Sequence, residues 1–392
     1  MKLNSIIRIA SALACASVLQ VSAAKAETVL YSFAGGSDGA APLAGLISVK
    51  GTLYGTTQAG GTGGTMFSLT TSGTERVVYT FKGGSDGADP DAGLINLNGT
   101  FYGTTSSGGN VVCGGCGTVF SITHGGTETV LHSFRGRDGS DPEGGLIDVS
   151  GTLYGTTQFG GKYDGGTVFS ITPSGTEKVL HSFGNGNGND GDEPRGSLIN
   201  VNGTLYGATR FGGIYNGGTV FSITPSGREK VLYSLGGGFD GSSPVAGLLA
   251  GGGKLYGTTD QGGSFGRGTV FSVTLGGTET VLHSFDGGGG IGPSTDGANP
   301  EARLTAVHGI LYGTTNAGGT GSCENRYGNS GCGTVFSITP SGTEKVLYSF
   351  QGGNDGNGPN DLKSFNGTLY GTTVNGGAHN QGTIFSITPQ AR

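Results

Sequence analysis

The chain has 392 residues, of which 86 are Gly, none is Trp and only 12% are charged, with a formal net charge of −6. Lys and Arg are scattered rather than gathered in a stripe, which argues against nucleic acid or an anionic membrane surface as a partner. Glycine at this density means either disorder or a fold made largely of turns.

The first element in chain order is an export signal. Lys2 and Arg8 precede an apolar run from Ile9 to Val21, and the small residues of Ala24-Lys25-Ala26 close it, so residues 1–26 read as a signal peptide. The run falls short of the ~20 residues of a membrane-spanning helix, and no later segment is comparably apolar. The expected mature chain, 27–392, is therefore a soluble monomer with no transmembrane segment, extracellular or periplasmic, with surface association left open. Cys15 follows Ala12-Leu13-Ala14, a lipoprotein-like box with Ala where Leu is usual; lipid anchoring there is the alternative.

After Glu27 the glycines recur at fixed places, which favours turns over disorder. Leu-Tyr-Gly-Thr-Thr, or a close variant, centres on Tyr54, Tyr102, Tyr154, Tyr206, Tyr256, Tyr312 and Tyr370, at spacings of 48 to 58 residues. Each copy is followed by a Gly-rich loop, then Gly-Thr-Val-Phe-Ser-Ile-Thr, a tight turn, a run such as Glu177 to Phe183, an Asp-Gly-x-x-Pro loop and Gly-Leu-Ile. These runs are short, β-branched or aromatic, and carry no period of 3.6.

Four strands per repeat and seven repeats predict an all-β, seven-bladed β-propeller of four-stranded antiparallel blades, a single domain over residues 27–392. A parallel β-helix is the rival, but its coils are shorter and would not need an Asn-Gly hairpin in each unit. The mature chain opens on an orphan outer-strand run, residues 27 to 33, and its last repeat lacks one. The N-terminal strand is therefore expected to join the last blade and close the ring.

Gly-Thr-Leu-Tyr-Gly-Thr-Thr, Gly-Thr-Val-Phe-Ser-Ile-Thr-Pro-Ser-Gly-Thr-Glu and Val-Leu-Tyr-Ser-Phe together resemble the GloVer (Gloeo/Verruco) tandem-repeat family of exported bacterial proteins. The resemblance covers nearly all of residues 27 to 389. It implies export and a propeller-like repeat, and it brings no catalytic residues. The Asn-Gly, apolar-Tyr and Gly-Gly pattern also resembles kelch blades in architecture, without the kelch tryptophan.

In such a blade the loop between the second and third strands and the connection to the next blade emerge on one side. Those loops vary, while the turns opposite are short and uniform, so the loop face is where binding residues are expected. It offers Phe159, Tyr163, Asp164, Phe211, Tyr215, Phe265, Arg267 and Tyr327, with Asn216, Asn325 and His379 nearby. Rings beside short polar side chains suit sugar or peptide recognition; packing over the loop bases is the bland alternative.

The seven repeated acids, Asp38, Asp86, Asp138, Asp190, Asp240, Asp296 and Asp355, are read mainly as turn formers that bond nearby amides. Calcium is the functional alternative, and its densest oxygen cluster is Asn187, Asn189, Asp190 and Asp192, with Asn185 and Glu193 beside them. Glu27, Glu75, Glu128, Glu177, Glu229, Glu279 and Glu344 share one position, read as solvated or capping. His132, His181 and His283 alternate with Tyr at one strand position and read as structural.

Cys113, Cys116, Cys323 and Cys332 all lie in loops between second and third strands, in repeats two and six. Oxidation is expected outside the cytoplasm, as Cys113–Cys116 and Cys323–Cys332, because the two repeats stand too far apart for cross-links or a shared zinc site.

No nucleophile elbow, His-x-x-x-His pair or phosphate loop is present. The expected function is a non-catalytic binding or scaffold module for carbohydrate, peptide or protein. The alternative is a secreted hydrolase or lyase acting on polysaccharide, with Asp164, Asp260 or Glu324 as its acids.

Overall fold

The computed structural model describes residues 27–109, 113–186, 189–287, 296–323 and 331–389. Residues 1–26, read above as a signal peptide, with Cys15, the loop residues Asn187 and Tyr327, and Glu324 and Asn325 lie outside the described residues. Each repeat folds as one antiparallel sheet. In the first, Ile47–Val49, Thr52–Thr57, Thr65–Leu69 and Glu75–Thr80 pair in sequence order.

Seven such sheets form the ring. The three-residue first strands of neighbouring repeats approach one another and line the central axis, so they are the inner strands. The last sheet contains Lys363–Phe365, Thr368–Asn375 and Thr383–Ile387, and its outer strand is Thr28–Ser32, paired antiparallel to Thr383–Ile387. The expected closure by the N-terminal strand is the one observed.

The hairpin between inner and second strands needs left-handed backbone at both turn residues, which Asn and Gly tolerate best. Asn202 and Gly203 sit at φ 52° and 83°. One face of each blade packs on the next, giving seven apolar clusters, one per junction. At the centre of each junction the outer-strand ring of one blade meets the third-strand Phe of the next, as in Phe134 edge-on to Phe169 at 5.1 Å; Leu235 replaces the ring against Phe271.

The Gly of Leu-Tyr-Gly-Thr-Thr makes this packing possible. Gly155 stands opposite Phe169 in the sheet, and a Cβ there would lie 2.6 Å from Phe169 Cζ and 2.9 Å from Leu146 Cδ2. Gly155→Ala is therefore expected to destabilise the ring by about 1–3 kcal/mol, the usual cost of overpacking a core. Urea denaturation measures it, and an unchanged midpoint would refute the packing argument.

Candidate functional site

The Asp-Gly-x-x-Pro loop is first of all a structural clasp. Asp38 accepts from the Tyr31 hydroxyl at 2.9 Å and from the Ala34 amide at 2.8 Å, so it fastens the outer strand to the turn that leaves it. Its partners are a ring and an upstream amide rather than amides further on. A Cβ on Gly39 would strike Thr57, which is hydrogen-bonded to Thr65 at 2.8 Å, and Pro42 packs on Gly382 of the preceding blade. The same parts recur around the ring, with His in place of Tyr at residues 132, 181 and 283.

This clasp fixes the residue after each Pro. Those residues are Leu43, Asp91, Glu143, Arg195, Val245, Glu301 and Asn360, and all seven line one cavity of about 510 Å³ at the centre of the loop face. The residue after Thr-Thr (Ala-Thr in the fourth repeat) in the second strand supplies five more, Gln58, Arg210, Asp260, Asn316 and Val374, and Asn357, Gly358 and Asn375 complete the lining. The second-strand residues bond through the backbone to the residue before Pro in the same repeat, as in Gln58 N to Ala41 O and Arg210 N to Glu193 O, both at 3.0 Å.

The residue before each Pro is left-handed. Ala41, Asp89, Asp141, Glu193, Ser243 and Asn299 have φ between 51° and 58°, and Gly358 completes the set at 66°. Such backbone costs roughly 1–3 kcal/mol at a non-Gly residue and persists where the surroundings over-determine it, commonly at ligand sites.

The electrostatics of the mouth are lopsided. Arg195 forms a two-pronged pair with Glu143, through Nε to Oε2 and Nη2 to Oε1 at 2.7 Å, and Arg210 reaches Glu193 at 3.3 Å. Asp91 accepts from Ser106 Oγ at 2.7 Å, yet its other oxygen is shut from water without a hydrogen-bond partner. Burial pushes the Asp91 carboxyl up to about 7, helped by Glu143, Asp89 and Asp141. Burial and Glu143 likewise raise Asp141 to about 6, against the pull of Arg195.

The inner strands line a second cavity of about 390 Å³, walled by Leu46, Ile47, Leu94, Ile95, Leu146 and Ile147 together with Arg303, Asp361 and Lys363.

The rings singled out from the sequence sit elsewhere on the same face. Phe159, Tyr163, Tyr215 and Phe265 are exposed on the loops of the third to fifth blades, and Phe239 and Ile214 join them. Phe211 is half-buried under the Arg210 guanidinium, 4.7 Å from its ring centre. None of these lines the central cavity. Asp164 closes its own loop by accepting from Gly160 N at 3.1 Å, and Arg267 is half-buried beside Gly287. Of the alternative's acids, Asp260 does line the mouth.

Among the candidate calcium residues, Asn189 is exposed, Asp190 is engaged with His181, and Asp192 lies on the short strand Gly191–Asp192 beside Phe211–Gly212. The disulfides Cys113–Cys116 and Cys323–Cys332 are formed as expected, each within its own loop.

The repeated glutamates require a correction. They are half-buried rather than solvated, because each faces the Asp clasp of the preceding blade: Glu75 faces Tyr31 and Asp38, and Glu27 faces Tyr348 and Asp355. In all seven, Oε1 is shut from water and has no hydrogen-bond partner.

The sequence profile of the Gloeobacter/Verrucomicrobia repeat matches residues 10–189 and 184–361. No curated protein matches the chain. Among solved structures, virginiamycin B lyase from Staphylococcus aureus superposes with a TM-score of 0.56 at 14% identity, over 90% of this chain and 96% of that one. PorZ of Porphyromonas gingivalis, a bacterial surface component of the type-IX secretion system, superposes at 0.53 with 15% identity, over 88% of this chain and 46% of its own. At these identities the likeness is one of fold. Among the described residues, no helix is long and apolar enough to cross a membrane.

Proposed function

The chain belongs to the Gloeobacter/Verrucomicrobia repeat family, and from that premise we propose that it is an exported binding module that takes a carbohydrate in the central mouth of its loop face. The observation that carries this reading is the convergence of the seven post-proline residues. They vary in chemical type beside a motif whose Asp, Gly and Pro are fixed, and they meet in one cavity.

A cavity of about 510 Å³ falls in the usual range for small ligands, roughly 300–1,000 Å³. Its carboxylates accept hydroxyl protons, its Asn and Arg side chains donate, and Leu43, Val245 and Val374 offer apolar contact to a sugar ring. The exposed rings of the third to fifth blades supply stacking surface for a chain running out of the mouth. Export follows from the amino-terminal signal, and the two disulfides suit an oxidising compartment.

Glycan-array screening of the secreted protein, followed by calorimetry on the best glycan, tests this. Asp91→Ala and Asn360→Ala are each expected to weaken binding about tenfold or more, since a hydrogen bond to a charged group contributes about 1.5–3 kcal/mol. Full affinity in both variants would refute the mouth as the binding site.

A polysaccharide hydrolase or lyase is the second reading, and Asp91 favours it. A carboxyl pushed up to about 7, beside a Glu143 paired with the Arg195 guanidinium, sets two carboxyl groups in unlike environments, the kind of pair that divides acid and base roles. Release of product from the same glycans, lost in Asp91→Asn or Asp260→Asn, would establish catalysis; its absence under conditions that give binding leaves the binding module.

A further inference from the structure

The seven blade junctions are built alike, but they are not chemically alike. In four of them the ring that meets the Asp clasp is Tyr31, Tyr79, Tyr233 or Tyr348, whose hydroxyl donates to the Asp. In the other three it is His132, His181 or His283, whose Nε2 stands 3.0, 3.4 and 3.1 Å from Asp138, Asp190 and Asp296. A glutamate from the next blade completes each set.

We propose that His132–Asp138–Glu177, His181–Asp190–Glu229 and His283–Asp296–Glu344 are three divalent-cation sites, suited to Zn²⁺, each clamping two adjacent blades together. In each set an imidazole nitrogen and two carboxylate oxygens lie within 4.8 Å of one another. Four-coordinate zinc, with ligands at about 2.0–2.2 Å, needs them about 3.4 Å apart, so from within 4.8 Å the incoming glutamate has at most about 1.4 Å to close.

Glu177, Glu229 and Glu344 each hold an oxygen that is shut from water and has no hydrogen-bond partner, as do the glutamates of the four tyrosine junctions. Only where His replaces Tyr does a nitrogen ligand stand beside it, so that a cation between the three side chains would satisfy that oxygen. The nitrogen donor selects a borderline ion such as Zn²⁺ over Ca²⁺, whose ligands are oxygens. Asp190, which stood out in the sequence as a calcium candidate, thus belongs to a mixed nitrogen and oxygen set.

The repeats themselves supply the control, because Tyr occupies the same position in four working junctions. The mature protein, freed of metal with a chelator, is titrated with ZnCl₂ by calorimetry beside the variant carrying His132→Tyr, His181→Tyr and His283→Tyr. About three Zn²⁺ per chain are expected to bind the first and be lost from the second, and Zn²⁺ is expected to raise the melting temperature of the first alone.

The same uptake in both proteins, reflecting His124, His308 and His379 elsewhere, would overturn the proposal, as would no uptake in either. Should the triple variant fail to fold, the single variants decide: each is expected to bind one ion fewer, and an unchanged count overturns the proposal.

Discussion

A protein of residues 37–392 is expected to melt on the order of 10 °C lower than one of residues 27–392 and to associate more strongly in solution. The deletion removes the outer strand Thr28–Ser32 of the last blade and with it Phe33, which is fully buried between Tyr31 and Phe67. Truncating one buried Phe costs about 3–5 kcal/mol, and loss of the strand pairing with Thr383–Ile387 adds to it.

At a few degrees or less per kcal/mol for a domain of this size, the midpoint should move by that order. The bared edge of Thr383–Ile387 would then offer a template for pairing with a second copy. Phe33→Ala, which leaves the strand in place, should lower the midpoint less and leave the oligomeric state of the 27–392 protein unchanged. Calorimetry with light scattering separates the two, and an unshifted melt of the shortened chain would refute closure of the ring through the first strand.

The architecture was legible in the sequence because each repeat carries its own turn chemistry and strand pattern, and the orphan run at residues 27 to 33 betrayed the phase of the blades. The proposed binding face was read from the same local signals, since loop length and variability need no tertiary information. The mouth was not. Leu43, Asp91, Glu143, Arg195, Val245, Glu301 and Asn360 lie roughly fifty residues apart and become neighbours only when the ring closes.

A signal for them did exist. Within Asp-Gly-x-x-Pro-x the Asp, Gly and Pro never change, whereas the residue after Pro runs through apolar, acidic, basic and amide side chains. The glutamates were misread for the complementary reason: nothing in the local run Glu-x-Val-Leu shows that the preceding blade covers its first residue. Loop aromatics such as Tyr215 and Phe265 drew notice as large residues in polar surroundings, and they are exposed there, but exposure places them outside the cavity.

The covered glutamates make the ring sensitive to alkali. At the four tyrosine junctions, burial pushes Glu27 up to about 8, and Glu75, Glu128 and Glu279 up to about 7. The nearby carboxylates Asp355, Asp38, Asp86 and Asp240 reinforce the shift, and Lys82 opposes it at Glu128. Each folded-state value lies above the ordinary glutamate value of about 4.3. The stabilisation from these groups is therefore complete below about pH 4.3 and is lost as pH rises through 7 to 8. These groups are only half-buried, so solvent screening reduces the effect to about 1 kcal/mol each, several kcal/mol for the four together. The thermal midpoint, recorded in chelator, should thus fall steadily between pH 5 and pH 8.5. Replacing all four by Gln removes the charge but keeps the shape, and should make that slope shallower. A wild-type midpoint that rises or stays level over this range would mean that the glutamates ionise freely and that the blades do not cover them.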